Sequence, residues 1–319
     1  MPDAGRSPHL PQVRRPGLAA AAAPGNSRPS MTETRPTLLS LGHGYSARAL
    51  GRLLLARGWR VIATTRSPVR AEALRAEGCN PRLWPGDDLT ADLAAATHLL
   101  SSVAPGASDP VLDALGPAIA AAAPHIRWAG YLSTTAVYGD HAGGWVDEET
   151  PLTPGTKRGE ERVAAEARWQ ALAAASGLPL HVFRLAGIYG PGRGPFEKVR
   201  DGTARRIVKP GQVFSRIHVD DIAQVLLASI DRPSPGAIYN VCDDDPAPPE
   251  DVFVHAARLL GVPPPPEVDY ATAEMSPLAR SFYAESKRVR NDRMKHGLGI
   301  RLLYPTYREG LAALLRAEG

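Results

Sequence analysis

Short apolar runs alternate along this chain with segments whose apolar residues recur at helical spacing. Residues 38–41, 61–63, 81–84, 98–103, 127–133, 180–185 and 237–241 read as strands. The more apolar of them lack the polar alternation of a half-exposed sheet, as strands buried on both faces do. The first helical pattern runs to Arg57 and is stopped by Gly58. Ser67-Pro68 supplies a cap and a first helical residue, and Gly78 a stop. Gly86-Asp87-Asp88-Leu89 turns into a short helix, and Asp109-Pro110 opens an Ala-rich one that ends before Pro124. Residues 157–176 form a long helix stopped by Gly177. Strands alternating with helices predict an α/β fold with a parallel sheet covered on both faces.

Beyond Gly190 the alternation breaks. Residues 190–215 are rich in Gly, Arg and Lys, a helix returns at 220–229, and prolines cluster at 263–266. The pattern predicts one domain over 36–319. Its core spans about 36–189 and 216–242. A small C-terminal substrate-side lobe takes about 190–215 and 243–319.

Residues 1–35 carry five arginines against Asp3 and Glu33, most of the formal charge of +4. They lack sustained apolar periodicity and read as a disordered tail. Met31 is an alternative start, and an Arg-rich transit peptide the other reading of this stretch. The remaining chain is nearly neutral, which argues against a nucleic-acid face. No apolar run approaches the ~20 residues of a membrane helix. The two cysteines, Cys79 and Cys242, form no metal or redox motif and suit a reducing cytoplasm. The expected partner is a small-molecule substrate, with a homodimer as the allowed assembly and no metal.

The chemistry concentrates between the first two strands, in Gly42-His43-Gly44-Tyr45-Ser46-Ala47. Gly42 permits a tight turn, and Gly44 lets a pyrophosphate approach the backbone. Ala47 is small enough for helix–strand packing. The helix start then favours the anion. The second strand ends Thr64-Thr65-Arg66 with no acid to accept from a ribose hydroxyl. Arg66 can instead pair with a 2′-phosphate, which favours NADP, with NAD the alternative cofactor.

With these motifs stand LSTTAVYGD (132–140), RLAGIYGPGR (184–193), RIHVDDIA (216–223), IYNVCDDDP (238–246) and YPTYREGL (304–311). In this order they resemble an extended, atypical short-chain dehydrogenase/reductase (SDR) of the NAD-dependent epimerase/dehydratase type. The resemblance implies a doubly wound Rossmann sheet. It places Asp88 and Leu89 near adenine, Val103 and Ala104 along the cofactor's middle, and Ala186 and Ile188 at the nicotinamide. It puts Ser133 on the cofactor side and makes Thr134 the hydroxyl that holds a substrate oxygen. A strand-end threonine satisfied by backbone is the alternative for Thr134. Tyr138 is the next acid candidate, with a structural role as its alternative.

Active members of that family carry Tyr-x-x-x-Lys at the start of the helix after the fifth strand. Here the tyrosine position falls on Arg158 and the lysine position on Arg162. Arginine cannot shuttle a proton near neutral pH, although Arg162 can still hold ribose hydroxyls. Arg193 and Arg216 are the candidates for an anionic substrate group, or charges of a solvated loop. His218 stands beside Asp220 and Asp221, where an aspartate cap is preferred to a metal site. Two functions follow: an oxidoreductase or epimerase/dehydratase-like enzyme, or a non-catalytic dinucleotide-binding sensor or scaffold.

Overall fold

Seven strands, all paired in parallel, form the central sheet. They are β1 (Thr37–Leu41), β2 (Arg60–Thr65), β3 (Asn80–Leu83), β4 (His98–Ser101), β5 (Trp128–Thr134), β6 (Leu180–Leu185) and β7 (Ile238–Val241). Their spatial order is β7-β6-β5-β4-β1-β2-β3. The chain winds outward in one direction from β1 and in the other from β4, so a crevice opens where the winding reverses. Leu38 of β1 joins one apolar cluster, whereas Leu39 and Leu41 join another. That division shows why β1 reads as a continuous apolar run: both of its faces are core.

The computed structural model describes residues 35–318. The tail expected at 1–35 lies outside the described residues except for Arg35, which donates to the carbonyls of Gly58 and Trp59. From Arg35 onward the chain is one compact unit.

The helices are α1 (Tyr45–Ala56), α2 (Pro68–Ala76), α3 (Thr90–Ala95), α4 (Pro110–Ala122), α5 (Lys157–Ser176), α6 (Phe196–Arg200), α7 (Val219–Asp231), α8 (Pro249–Leu260), α9 (Pro277–Phe282), α10 (Asp292–Leu298) and α11 (Tyr307–Glu318). Ser67 and Asp109 cap α2 and α4 through their side chains, as their sequence positions indicate. The cap of α7 is a correction: His218 Nδ1 accepts from the Asp220 amide at 3.2 Å. Asp221 is buried instead and accepts from the amides of Leu303 and Tyr304 at 2.7 and 3.1 Å. Among the described residues no cluster of His, Cys, Asp and Glu could hold a metal ion, and no helix is long and apolar enough to cross a membrane.

The lobe has its own small core, in which Phe196, Ala256, Tyr307 and Leu311 meet. Its expected extent over 243–319 is too large. Arg288–Val289 pairs with Trp145–Val146, and Met294, Leu298 and Leu302 enter the main core. The chain therefore leaves the core after β7, builds part of the lobe, and returns.

Beneath the crevice lies a buried polar network. Glu166 of α5 faces Arg184 of β6, with Nη2 and Oε2 2.8 Å apart and both side chains almost wholly buried. Arg184 Nε reaches both carboxylate oxygens at 3.2 Å. Ser133 donates to Glu166 Oε1. Arg184 Nη1 donates to the Tyr138 hydroxyl at 2.9 Å, which donates to Asn240 Oδ1 at 2.7 Å. One set of hydrogen bonds thus ties α5, β5, β6 and β7. Removing one partner strands a buried charge, so Arg184→Met is expected to lose on the order of 3–5 kcal/mol of stability. Urea unfolding measures it, and Arg184→Met with Glu166→Met together should lose less than Arg184→Met alone.

Candidate functional site

The turn after β1 is fixed from below. The Gly42 amide donates to Thr64 Oγ1 at 2.7 Å, and the His43 amide to the Thr64 carbonyl at 3.0 Å. Gly42 has φ +75°, and a Cβ there would come within 2.7 Å of Val103 Cγ2. Both facts demand glycine. At Gly44 a Cβ would meet nothing closer than 3.7 Å, so the missing side chain leaves open space rather than relieving a clash. No side chain caps α1. The N–H groups of Tyr45, Ser46 and Ala47 therefore lack the partner that a cap would give, beside a cavity that these residues line. Uncapped amides at a helix start form an anion site.

That cavity, of about 670 Å³, lies at the carboxyl ends of the central strands. It brings together Gly44, Tyr45, Ser46 and Ala47 with Ser133, Thr134 and Arg162, and with Ala186, Ile188, Arg193 and Arg216. Thr134 is half-buried, and its Oγ1 accepts from the Ala136 amide at 3.3 Å. Its hydroxyl proton remains available to a ligand. The Ser133 hydroxyl is committed to Glu166. Arg162 Nη1 donates to the Leu132 carbonyl at 2.8 Å and to the Tyr131 hydroxyl at 3.3 Å. Further N–H groups of its five are left for a ligand.

Arg193 sits over the Tyr45 ring at 5.7 Å. Arg216 Nη1 donates to the carbonyls of Phe214 and Ala247 at 2.9 and 3.1 Å. Behind Arg216 stands Asp243, whose carboxyl burial pushes well above the usual carboxylate range against the pull of that guanidinium. Arg216 is thus no residue of a solvated loop.

Other sequence expectations do not converge here. Tyr138 is wholly buried, outside the cavity, and its hydroxyl is engaged by both Arg184 and Asn240. Burial pushes it up to about 12. Its role as an acid is corrected to a structural one. The His43 ring is buried too, with Nδ1 2.8 Å from Ser40 Oγ, and it packs where a Cβ on Gly51 would stand. Only the backbone of His43 shapes the turn. Leu89 is core, 1% exposed, so its side chain is not free for adenine. Asp88 accepts from the Thr90 amide and hydroxyl at 2.9 and 2.7 Å. Val103 is half-buried against Gly42, Ala104 is exposed, and Arg66 is exposed at the end of β2 with no ion-pair partner among the described residues.

The sequence reading missed one wall of the cavity. Phe282, Tyr283, Glu285 and Lys287 line it from the end of α9 onward. Arg158, the residue in the family's tyrosine position, lies over the Phe282 ring at 5.7 Å. A signal was present: Tyr283 and Lys287 are spaced Tyr-x-x-x-Lys, far along the chain from the helix where that pair is sought.

His43 yields a pH prediction. Burial lowers it from 6.5 to about 4. The unfolded chain then takes up a proton between those values before the native state does. The stability it contributes is complete above pH 6.5 and is lost as pH falls toward 4. His43→Gln is expected to reduce the acid-side slope of unfolding free energy by up to ~1.4 kcal/mol per pH unit, measured by urea melts from pH 7 to 4.

Residues 41–242 match the NAD dependent epimerase/dehydratase family. Protein YeeZ of Escherichia coli K12 is 34% identical over 244 residues, which cover 70% of this chain and 84% of YeeZ. A 3-diazoavenalumate denitrifying reductase from Streptomyces is 31% identical over 185 residues, 52% of this chain and 58% of that protein. Among solved structures, a conserved protein of unknown function from Silicibacter pomeroyi DSS is 62% identical with a TM-score of 0.84. The match covers 89% of this chain and all of that one. The structure of MoeE5 in complex with UDP-glucose and NAD shares the fold at 20% identity, with a TM-score of 0.69 over 89% of this chain and 99% of that one. The chain belongs to the NAD dependent epimerase/dehydratase family, with the extended SDR fold that its ordered motifs resemble.

Proposed function

We propose that this protein binds NADP(H) in preference to NAD(H) and is an oxidoreductase or epimerase/dehydratase-like enzyme. Its substrate on this reading is a small molecule with a carbonyl or hydroxyl carbon. The observation that carries the reading is the single cavity joining the uncapped start of α1 to Thr134. Bound there, a nicotinamide supplies or takes up hydride.

The chain's own residues have separable roles. The amides of Tyr45, Ser46 and Ala47 receive the pyrophosphate. Arg66 meets a 2′-phosphate at the end of β2, where no acid competes. Arg162 reaches ribose hydroxyls with its unused N–H groups. Ala186 and Ile188 exclude water from the ring. Thr134 holds the reacting oxygen, while Arg193 and Arg216 attract an anionic group on the substrate. The family's NAD dependence and the reductase named among the relatives support redox chemistry. Unpaired, buried Cys79 and Cys242 suit a reducing cytoplasm. The second reading, a non-catalytic sensor, draws on Arg158 and Arg162 at the positions of the family's tyrosine and lysine.

Titration by nicotinamide fluorescence tests the cofactor assignment. NADPH should bind more tightly than NADH, and Arg66→Ala should weaken NADPH by about 10- to 100-fold, the loss of one charge-assisted contact. Equal affinities in the unaltered protein would sink the NADP preference. On any carbonyl substrate, Thr134→Val is expected to lower kcat with little change in cofactor Kd. Loss of both together would point to a folding role instead.

A further inference from the structure

The wall that the sequence reading missed holds a buried cation. Lys287 is 9% exposed, yet it lines the cavity. Its Nζ donates to the Gly139 carbonyl at 2.6 Å and to Glu285 Oε2 at 2.7 Å. A lysine ammonium has three N–H groups. Two are used, and the third has no protein partner among the described residues. Glu285 Oε1 is likewise buried without a hydrogen-bond partner. Burying a charge is costly unless it is fully paired. An ammonium and a carboxylate that each keep hydrogen-bonding capacity on a cavity wall are placed to meet a ligand.

The segment carrying them is rigidly held. The Ser286 amide donates to Asp140 Oδ1 at 2.7 Å, and the Ser286 carbonyl accepts from the amides of His141 and Gly143 at 3.0 and 2.9 Å. Gln212 Nε2 donates to the Glu285 carbonyl at 2.7 Å, and Ser286 Oγ donates to the Gly211 carbonyl at 3.0 Å. The Val289 amide donates to Ser215 Oγ at 3.1 Å. This strap lies against the start of α5: a Cβ on Gly155 would stand 3.7 Å from Glu285 Oε1, and Arg158 lies over Phe282. It packs beside the position from which active relatives present their tyrosine. The residue to which Lys287 is anchored, Gly139, closes the turn that follows Thr134.

Resting on the nicotinamide reading above, we propose that Lys287 is the proton-transferring group of this cavity, positioned by Glu285 and the Gly139 carbonyl. The substrate is a ketone or aldehyde whose oxygen is held by Thr134. In reduction, a bound dihydronicotinamide would supply hydride, with its electron pair, to the carbonyl carbon and would itself be oxidised. The π electrons move to oxygen, and that oxygen takes a proton from Lys287 Nζ. Lys287 is left as a neutral amine and regains its proton from solvent. The reverse direction uses the amine as the base.

Tyr283 is not the group, despite the Tyr-x-x-x-Lys spacing. The two residues do not share a helical face, because α9 ends before Tyr283. The Tyr283 ring stacks on Tyr270 at 5.4 Å and meets Phe214 edge-on at 5.5 Å. Its hydroxyl feels Glu250 and Arg216, on the lobe side.

The test follows the Lys287 side chain by its own resonance, with or without a known substrate. In protein labelled with 13C-lysine, the Cε resonance of Lys287 is assigned by its absence in Lys287→Arg. It is then compared at one pH with NADPH bound and with NADP+ bound. Glu285 and Asp140 face this ammonium, and Lys209 faces Asp140. All are common to both states, whereas the oxidised ring adds one positive charge. The Lys287 resonance is expected to move between the two forms. An unchanged resonance would place Lys287 away from the reacting ring and overturn the proposal. Failure to bind either reduced cofactor would overturn the nicotinamide reading, and this assignment with it. On a carbonyl substrate, Lys287→Arg keeps the charge but cannot yield a proton. Its kcat should drop about 10²- to 10⁴-fold while NADPH Kd stays within threefold. Tyr283→Phe should retain most of the rate. Loss of rate in Tyr283→Phe with full rate in Lys287→Arg would assign the proton to the tyrosine instead.

Discussion

The ion pair between Glu166 and Arg184 is the contact on which the crevice depends. Two opposite charges at 2.8 Å, almost wholly removed from water, attract strongly but have lost their hydration. Such a pair holds only when its remaining donors and acceptors are met. Here Ser133 and Tyr138 meet them, and Asn240 completes the chain of bonds. The consequence is geometric. The inner face of α5 is fixed to β5 and β6, so Arg162 is set beside Thr134 at the mouth of the sheet. The floor of the site is rigid because its polar groups have each other.

A second constraint acts where β5 ends. Gly139 has φ +73°, and a Cβ there would stand 1.8 Å from the Thr153 carbonyl oxygen. Thr153 Oγ1 also donates to the Tyr138 carbonyl at 2.8 Å. The chain entering α5 is thus pressed directly on the turn leaving β5. The Gly139 carbonyl is left for Lys287, and Asp140 for the Ser286 amide. A strap from late in the sequence is thereby stitched onto the central strands. The return of Val289, Met294 and Leu298 to the main core pulls the same strap from its far end.

The resulting cavity is asymmetric in charge. Arg158, Arg162, Arg193, Arg216 and Lys287 line it, against Glu285 alone among the acids of the described residues. Repulsion from Arg162 and Arg193 adds to burial in lowering the Arg158 guanidinium below its ordinary value. Like charges gathered in this way favour an anion between them. On the proposed reading, a dinucleotide would supply one at the start of α1, and the cations nearer the lobe would meet the substrate.

The local sequence determined the sheet and its ligand turn. Continuous apolar runs mark strands with two buried faces, and Ser67, Asp109 and Gly177 mark helix ends, because caps and stops depend on a few adjacent residues. Gly42 and Ala47 are legible for the same reason: the turn after β1 and the packing of α1 are short-range. Only the tertiary structure decided which polar side chains reach the cavity. Thr134 and Tyr138 stand four residues apart, yet one opens to the crevice and the other is sealed beneath it by Arg184. His43 lies inside the glycine-rich turn and turns its ring into the core. Lys287 follows Tyr283 at the Tyr-x-x-x-Lys spacing, but its place on the cavity comes from Gly139, far away in the chain, and from the fold of the strap. Burial and long-range hydrogen bonds, which no window of sequence contains, made those assignments.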